Sequence, residues 1–109
     1  MFQKRDFMSG GKDLMKSIAE EFELLERHIA ILRNVRENQP IGLIRLSETT
    51  GIPRHKVRYS LKLLEQQGII RATPEGATVT DDYESFMEST TEYIKGLYAR
   101  VESLLEKLV

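Results

Sequence analysis

The chain has 109 residues, of which 40% are hydrophobic and 30% charged, and this composition predicts a single globular, helix-rich domain. The absence of cysteine excludes disulfides and thiolate metal sites. No apolar run approaches the roughly 20 residues that a membrane span requires, and no signal-peptide pattern opens the chain. We therefore expect a cytoplasmic protein with no membrane partner.

The net charge of −1 conceals an uneven distribution along the chain. Residues 39–73 carry six cations against two anions, residues 74–109 carry three cations against eight anions, and residues 1–38 are balanced. A near-neutral protein whose positive charge is confined to one segment has the distribution expected of a polyanion-binding surface. The alternative is that a helix-rich surface simply carries local excesses of charge.

The N-terminal third predicts a long helix preceded by an arm. Residues 1–11 show no hydrophobic period and end in Ser-Gly-Gly, so we interpret them as a mobile N-terminal arm. From Lys12 to about Arg36, apolar residues recur at alternating spacings of three and four, which is a heptad pattern. These residues are Met15, Ile18, Phe22, Leu25, Ile29 and Leu32. Pro40 ends the helix, because the residue before a proline avoids the helical conformation.

The middle of the chain predicts two short helices and a β-hairpin. The first helix has one apolar face and ends at Gly51, which suits a left-handed C-terminal residue. The second begins near Pro53 and ends at Gly68. Two β-capable runs, Ile69–Thr73 and Ala77–Thr80, then flank a Pro-Glu-Gly turn. The inward faces of these elements predict a shared core of Leu32, Leu46, Val57, Leu61, Leu64 and Ile69.

The outward face of the second short helix carries a histidine, a tyrosine and a lysine, bordered by further cations. Such a face suits a helix in the major groove of DNA, because cations meet phosphates while donors and flat rings meet base edges. The candidates for base contacts are His55, Arg58, Tyr59 and Lys62. The candidates for phosphate contacts are Arg45, Arg54, Lys56 and Arg71.

The run V-R-Y-S-L-K-L-L-E-Q-Q-G-I-I resembles the recognition helix and first wing strand of winged-helix regulators, which share a pattern close to V-x-x-x-L-x-x-L-E-x-x-G-x-I. The preceding L-S-E-T-T-G-I resembles their first motif helix and turn. The resemblance covers about Glu26 to Thr80 and is strongest to small archaeal winged-helix transcriptional regulators. It implies a mainly helical fold with a small hairpin wing. Pro53 departs from the pattern, since a capping Ser or Thr is expected there.

The residues after the hairpin predict a second long helix, which Asp81 or Asp82 would cap. Its apolar positions alternate by four and three from Tyr83 to Leu108, and at about 40 Å it would extend beyond a compact winged-helix core. We expect it to form a coiled-coil homodimer with residues 14–26, with intramolecular packing as the alternative. Residues 12–109 would then be one winged-helix domain with a dimerisation bundle. The centre of the interface would be Ile94, Leu97, Val101 and Leu104.

The sequence offers no convergent set of reactive groups. His28 and His55 lie on different predicted helices, and no phosphate loop or metal-binding spacing is present, so we predict neither an enzyme nor a metal or cofactor site. A small-molecule effector remains unassigned. The favoured function is a sequence-specific DNA-binding transcriptional regulator, with recognition helix 54–67 in the major groove of double-stranded DNA and wing 69–80 on its backbone. The alternative is a winged-helix module that contacts a protein, or nucleic acid without sequence choice, in a larger assembly.

Overall fold

The computed structural model describes residues 12–109, apart from the side chains of Lys12 and Leu14, so the predicted arm of residues 1–11 lies outside the described part. The elements in chain order are α1 (Lys12–Asn38), α2 (Leu43–Thr50), α3 (Arg54–Gln66), β1 (Ile70–Thr73), β2 (Gly76–Val79) and α4 (Tyr83–Leu108). This order confirms the predicted mainly helical fold, with a small hairpin wing between two long helices.

One hydrophobic core lies between the second half of α1, the two short helices and the hairpin. The buried residues are Ile31, Leu32, Val35, Ile41, Leu46, Val57, Leu64, Ile69, Ile70 and Ala77. The first turns of α4 cover one side of this core through Tyr83, Phe86 and Met87, which are partly buried. The prediction of a core residue was wrong for Leu61, which is only partly buried. Leu61 packs at the edge of the core, where a cleft opens between α3 and the hairpin.

The turn between α2 and α3 is held by short-range hydrogen bonds. Gly51 ends α2 with a φ of 75°, the left-handed conformation that the sequence predicts. The Ser47 hydroxyl donates to the Ile52 carbonyl at 2.7 Å, and the Thr50 hydroxyl accepts from the Ile52 N–H at 3.2 Å. Pro53 precedes α3, and no side-chain hydrogen bond caps that helix, as expected. The turn, rather than a cap, therefore sets the angle between the two helices.

The hairpin pairs β1 with β2 in antiparallel register from Ile70 opposite Val79 to Thr73 opposite Gly76. β1 begins one residue later than the predicted run, and β2 is shifted by one residue towards the N-terminus, so that it gains Gly76 and loses Thr80. Ile69 falls outside β1 because its N–H bonds to the Leu64 carbonyl and closes the C-terminus of α3. Thr80 falls outside β2, and its hydroxyl turns back to donate to the Gly68 carbonyl at 2.6 Å.

The second edge of β2 is paired with the segment between α1 and α2. The Ile41 N–H donates to the Ala77 carbonyl at 3.1 Å, and the Ala77 N–H donates to the Ile41 carbonyl at 2.8 Å. The Val79 N–H donates to Gln39 Oε1 at 2.8 Å. The wing is therefore attached to the helical part of the fold by hydrogen bonds as well as by the chain.

The two long helices run antiparallel. The Arg36 guanidinium lies 5.6 Å from the centre of the Tyr83 ring, and further along the pair Phe22 and Leu25 of α1 line a groove with Ile94 of α4. Every residue of α4 after Leu97 is exposed. The described part of the molecule measures 53 × 28 × 21 Å. No helix within it is both long enough and apolar enough to cross a membrane.

Candidate nucleic-acid interface

Helix α3 has one buried face and one exposed face. Val57, Ser60 and Leu64 are buried against the rest of the domain, with at most 3% of their surface exposed. The four residues predicted to meet bases lie on the opposite side and are all exposed: His55, Arg58, Tyr59 and Lys62. The structure thus brings these four side chains to one accessible surface, as the helical periodicity predicts.

Three of the four cations predicted to meet phosphate have exposed side chains. Arg54 at the start of α3, Arg45 on α2 and Arg71 on β1 are all exposed. In residues 12–109 the ion pairs are Arg33–Glu37 on α1 and Lys95–Glu92 on α4, and neither involves a cation of the two short helices or the wing. The positive charges around α3 therefore remain available to an anionic partner.

Lys56 differs from the other predicted phosphate contacts. It is partly buried and lines a shallow groove together with Glu23 and Glu26 of α1, close to Pro53. Arg27 lines the same groove, so the charged groups around Lys56 are of both signs. Because it is partly buried, Lys56 is less accessible than the other three candidates, which are exposed.

A cleft of about 310 Å³ separates α3 from the wing. Its floor is apolar and includes Leu61, Ile70 and Ala72, while Arg58 and Lys62 stand on the α3 side. The cleft places these two cations beside the wing strands. Glu65 of α3 lines the same cleft, so its charged side chains are of both signs.

His28 packs beside this surface, although the sequence analysis assigned it to no site. It is only 9% exposed, and its Nδ1 atom lies 2.8 Å from the Ser60 hydroxyl on the buried face of α3. Its ring stacks on Tyr59, with centroids 6.2 Å apart and planes inclined by 29°. Burial lowers the pKa of His28, and the neighbouring Arg27 charge lowers it further. The sequence signal for this contact was that a polar residue faces the core on each of two helices, His28 on α1 and Ser60 on α3.

The four residues predicted at the centre of a dimer interface differ in their exposure. Ile94 and Leu97 are partly buried in the groove against α1, whereas Val101 and Leu104 are 53% and 56% exposed.

No cluster of potential metal ligands occurs among residues 12–109.

Residues 24–94 match the family described as the CggR N-terminal DNA binding domain. The chain belongs to this family. The match begins in α1, includes both short helices and the whole wing, and ends in the middle of α4. This CggR-type domain is a DNA-binding domain of transcriptional regulators, which confirms the predicted class of a DNA-binding transcriptional regulator rather than an enzyme.

Two curated relatives of the CggR-type domain come from bacteria. The central glycolytic genes regulator of Bacillus subtilis (strain 168) is 30% identical over 88 residues, which cover 78% of this chain and 26% of that protein. The regulator of the same name from Priestia megaterium (strain DSM 319 / IMG 1521) is 28% identical over 80 residues, which cover 73% and 23% respectively. The chain spans about a quarter of the length of these relatives. The archaeal character suggested by the sequence resemblance finds no support in them.

A solved structure supports the architecture of the CggR-type domain. The activation domain of the phage T4 transcription factor MotA aligns with a TM-score of 0.54 over 70% of this chain and 82% of that chain, at 15% identity. At this level of identity the likeness shows a shared fold and nothing about a shared partner.

Proposed function

We propose that the chain reads DNA by placing α3 in the major groove, with the wing on the adjacent backbone. The observation that carries this proposal is the division of α3 into a face packed on the core through Val57, Ser60 and Leu64 and an exposed face. The exposed face bears His55, Arg58, Tyr59 and Lys62. A helix fixed along one side can present its other side to base edges without rearrangement.

The exposed side chains divide by chemistry. Arg58 can donate two parallel hydrogen bonds to the O6 and N7 atoms of guanine, which makes it the strongest candidate for a base contact. Tyr59 offers a ring to a thymine methyl group and a hydroxyl to a polar atom. Arg45, Arg54 and Arg71 lie on three different elements and would hold the phosphates on either side of α3.

We also propose that the protein works as a symmetric homodimer. Apolar side chains are exposed on the first half of α1 and on the end of α4, among them Ile18 at 58%, Phe22 at 57% and Leu108 at 74%. An apolar stripe of this length is uncommon on a monomer, and antiparallel helices of a second copy would cover it as a coiled coil or bundle. Two α3 helices related by a two-fold axis would then read half-sites separated by about 10 base pairs or a multiple of that.

The biological setting follows from the same proposal. A transcriptional regulator of this kind acts in the cytoplasm, on double-stranded DNA. Both curated relatives are named as regulators of central glycolytic genes, so promoters of such genes are the first natural sequences to test.

Selection from a random pool of duplex DNA tests the proposal. The wild-type protein should enrich a defined motif, and its affinity for that motif should fall as salt rises, because bound phosphates release counterions. A scrambled duplex of the same composition serves as the control. Binding to neither duplex at low salt would refute DNA binding by this chain, and equal binding to both would favour the non-specific alternative.

A further inference from the structure

A buried polar contact joins α1 to the middle of α3. His28 of α1 lies against two consecutive residues of α3, with its Nδ1 atom 2.8 Å from the Ser60 hydroxyl and its ring stacked on Tyr59. Ser60 has no exposed surface, whereas Tyr59 is 51% exposed. The histidine therefore connects the interior of the domain to a side chain on the DNA-facing surface.

Core packing alone does not account for a histidine at this position. Within the described part of the chain, the Nε2 atom of His28 is buried and has no hydrogen-bond partner. A buried polar atom without a partner destabilises a fold, while an apolar pair of similar shape in place of His28 and Ser60 would leave none. The stability of the interior therefore does not explain the presence of a histidine here.

The geometry indicates what that role is. An exposed tyrosine on a helix has access to more than one side-chain rotamer, and each rotamer carries its hydroxyl to a different place. The His28 ring stacks on the Tyr59 ring with centroids 6.2 Å apart, and only 9% of the His28 surface is exposed, so packing between α1 and α3 fixes the orientation of the ring. One rotamer of Tyr59 is thereby favoured before DNA arrives, which reduces the ordering that binding would otherwise require.

We propose that His28 is a positioning residue for DNA recognition: it holds Tyr59 in the orientation that contacts the DNA, and so contributes to sequence preference without reaching the DNA itself. This inference rests on the proposed function, in which Tyr59 lies in the major groove. It adds a residue of α1, outside the helix-turn-helix, to those that determine which sequence is bound.

The test uses the duplex that the wild-type protein selects, together with a set of duplexes that each carry one base-pair change. Tyr59→Ala identifies the positions whose preference depends on the tyrosine. His28→Gln removes the ring and keeps a group that can bond to Ser60. His28→Phe combined with Ser60→Ala keeps a ring and leaves no polar atom unpaired. His28→Leu combined with Ser60→Ala removes the ring and also leaves no polar atom unpaired.

The ring-free variants should lose about threefold or more of the wild-type discrimination at the Tyr59-dependent positions and keep it elsewhere. The variant with phenylalanine should keep the wild-type profile at all positions. Thermal unfolding identifies which variants are folded, and either ring-free variant suffices for the comparison. Removing the His28 ring in a Tyr59→Ala background should produce no further loss at those positions, since His28 acts on them only through Tyr59.

Three results would overturn the inference. They are an unchanged profile in a folded ring-free variant, a loss spread evenly over all positions, and a loss in the phenylalanine variant equal to that in the ring-free ones. Failure of the proposed function would look different, because the wild-type protein itself would then select no sequence.

Discussion

Gly76 of the wing lies directly against the backbone of Ile41. A Cβ atom on Gly76 would stand 2.6 Å from the Ile41 carbonyl carbon and 2.8 Å from both its nitrogen and its oxygen. The φ of Gly76 is 135°, which an L-residue with a side chain rarely adopts. The pairing of β2 with the segment between α1 and α2 therefore requires glycine at this position.

Gly76→Ala should destabilise the protein by about 2–4 kcal/mol, because both the close approach and the backbone conformation are lost. Urea unfolding measures the change. Gly96→Ala on α4 is the matched control, since an added Cβ there meets no atom within 4 Å. That control should be stabilised by up to about 1 kcal/mol, as expected for alanine in a helix interior. A Gly76→Ala variant as stable as wild type would show that Ile41 can move away.

Two leucines of α3, Leu61 and Leu64, should differ in their contribution to stability. Leu64 is 3% exposed, so Leu64→Ala should cost about 2–5 kcal/mol of unfolding free energy. Leu61→Ala should cost distinctly less, because Leu61 is partly exposed in the cleft beside the wing. Chemical denaturation of both variants provides the measurement. Equal losses would mean that the cleft is closed in solution.

Arg58 on α3 and Arg71 on β1 should have different effects on DNA binding. Arg58→Ala should relax the preference at one base position at a cost of about 1–3 kcal/mol, since a base contact carries sequence information. Arg71→Ala should weaken all sequences alike and lower the salt slope by about 1, since a phosphate contact carries none. Fluorescence anisotropy on the selected and scrambled duplexes separates the two effects. Arg100→Ala, an exposed arginine on α4, is the control and should leave binding unchanged.

The proposed dimer can be tested without disturbing the core of one copy. Leu104 is 56% exposed, so Leu104→Glu should fold normally and yet place a charge in the proposed interface. Analytical ultracentrifugation should then show a shift from dimer towards monomer. Ala99→Glu adds the same charge to an exposed residue on the other side of α4 and should sediment as the wild type does. A wild-type protein that is monomeric at tens of micromolar would remove this interface and the paired half-sites with it.

Stability should decline as the pH is lowered, starting near the ordinary histidine pKa of 6.5. Burial lowers the pKa of His28 in the folded state, so in the range between the two pKa values the unfolded chain binds a proton that the folded chain does not. Protons therefore favour unfolding as the pH falls below 6.5, and the effect levels off below the folded-state pKa. The difference between wild type and His28→Leu/Ser60→Ala in thermal melts should show this dependence. An identical pH profile for both proteins would contradict it.

The local features of the fold were predictable from the sequence because their causes are local. Periodic apolar residues predicted the long helices and the two faces of α3, since burial on one side of a helix repeats every three or four residues. Gly51 and Gly68 marked helix ends, and both have a positive φ, of 75° and 78°. The family comparison then confirmed that a DNA-binding regulator is the correct class.

The features that sequence reasoning missed depend on residues far apart in the chain. The pairing of Ile41 with Ala77 follows from how the hairpin folds back onto the helices, and neither residue signals it. The partial burial of Leu61 depends on where the wing stands relative to α3. The contact between His28 and Tyr59 requires α1 and α3 to cross at one particular point, which the periodicity of either helix leaves undetermined.

Strand β2 bonds to β1 on one edge and to Gln39 and Ile41 on the other, so the wing is not a free hairpin. Its separation from α3 is consequently set during folding and not during binding. The protein would therefore have little freedom to change the distance between the wing and α3 when it binds DNA. Operators would then be distinguished partly by how well their groove width matches this fixed separation. Base pairs that no side chain contacts would contribute to that match.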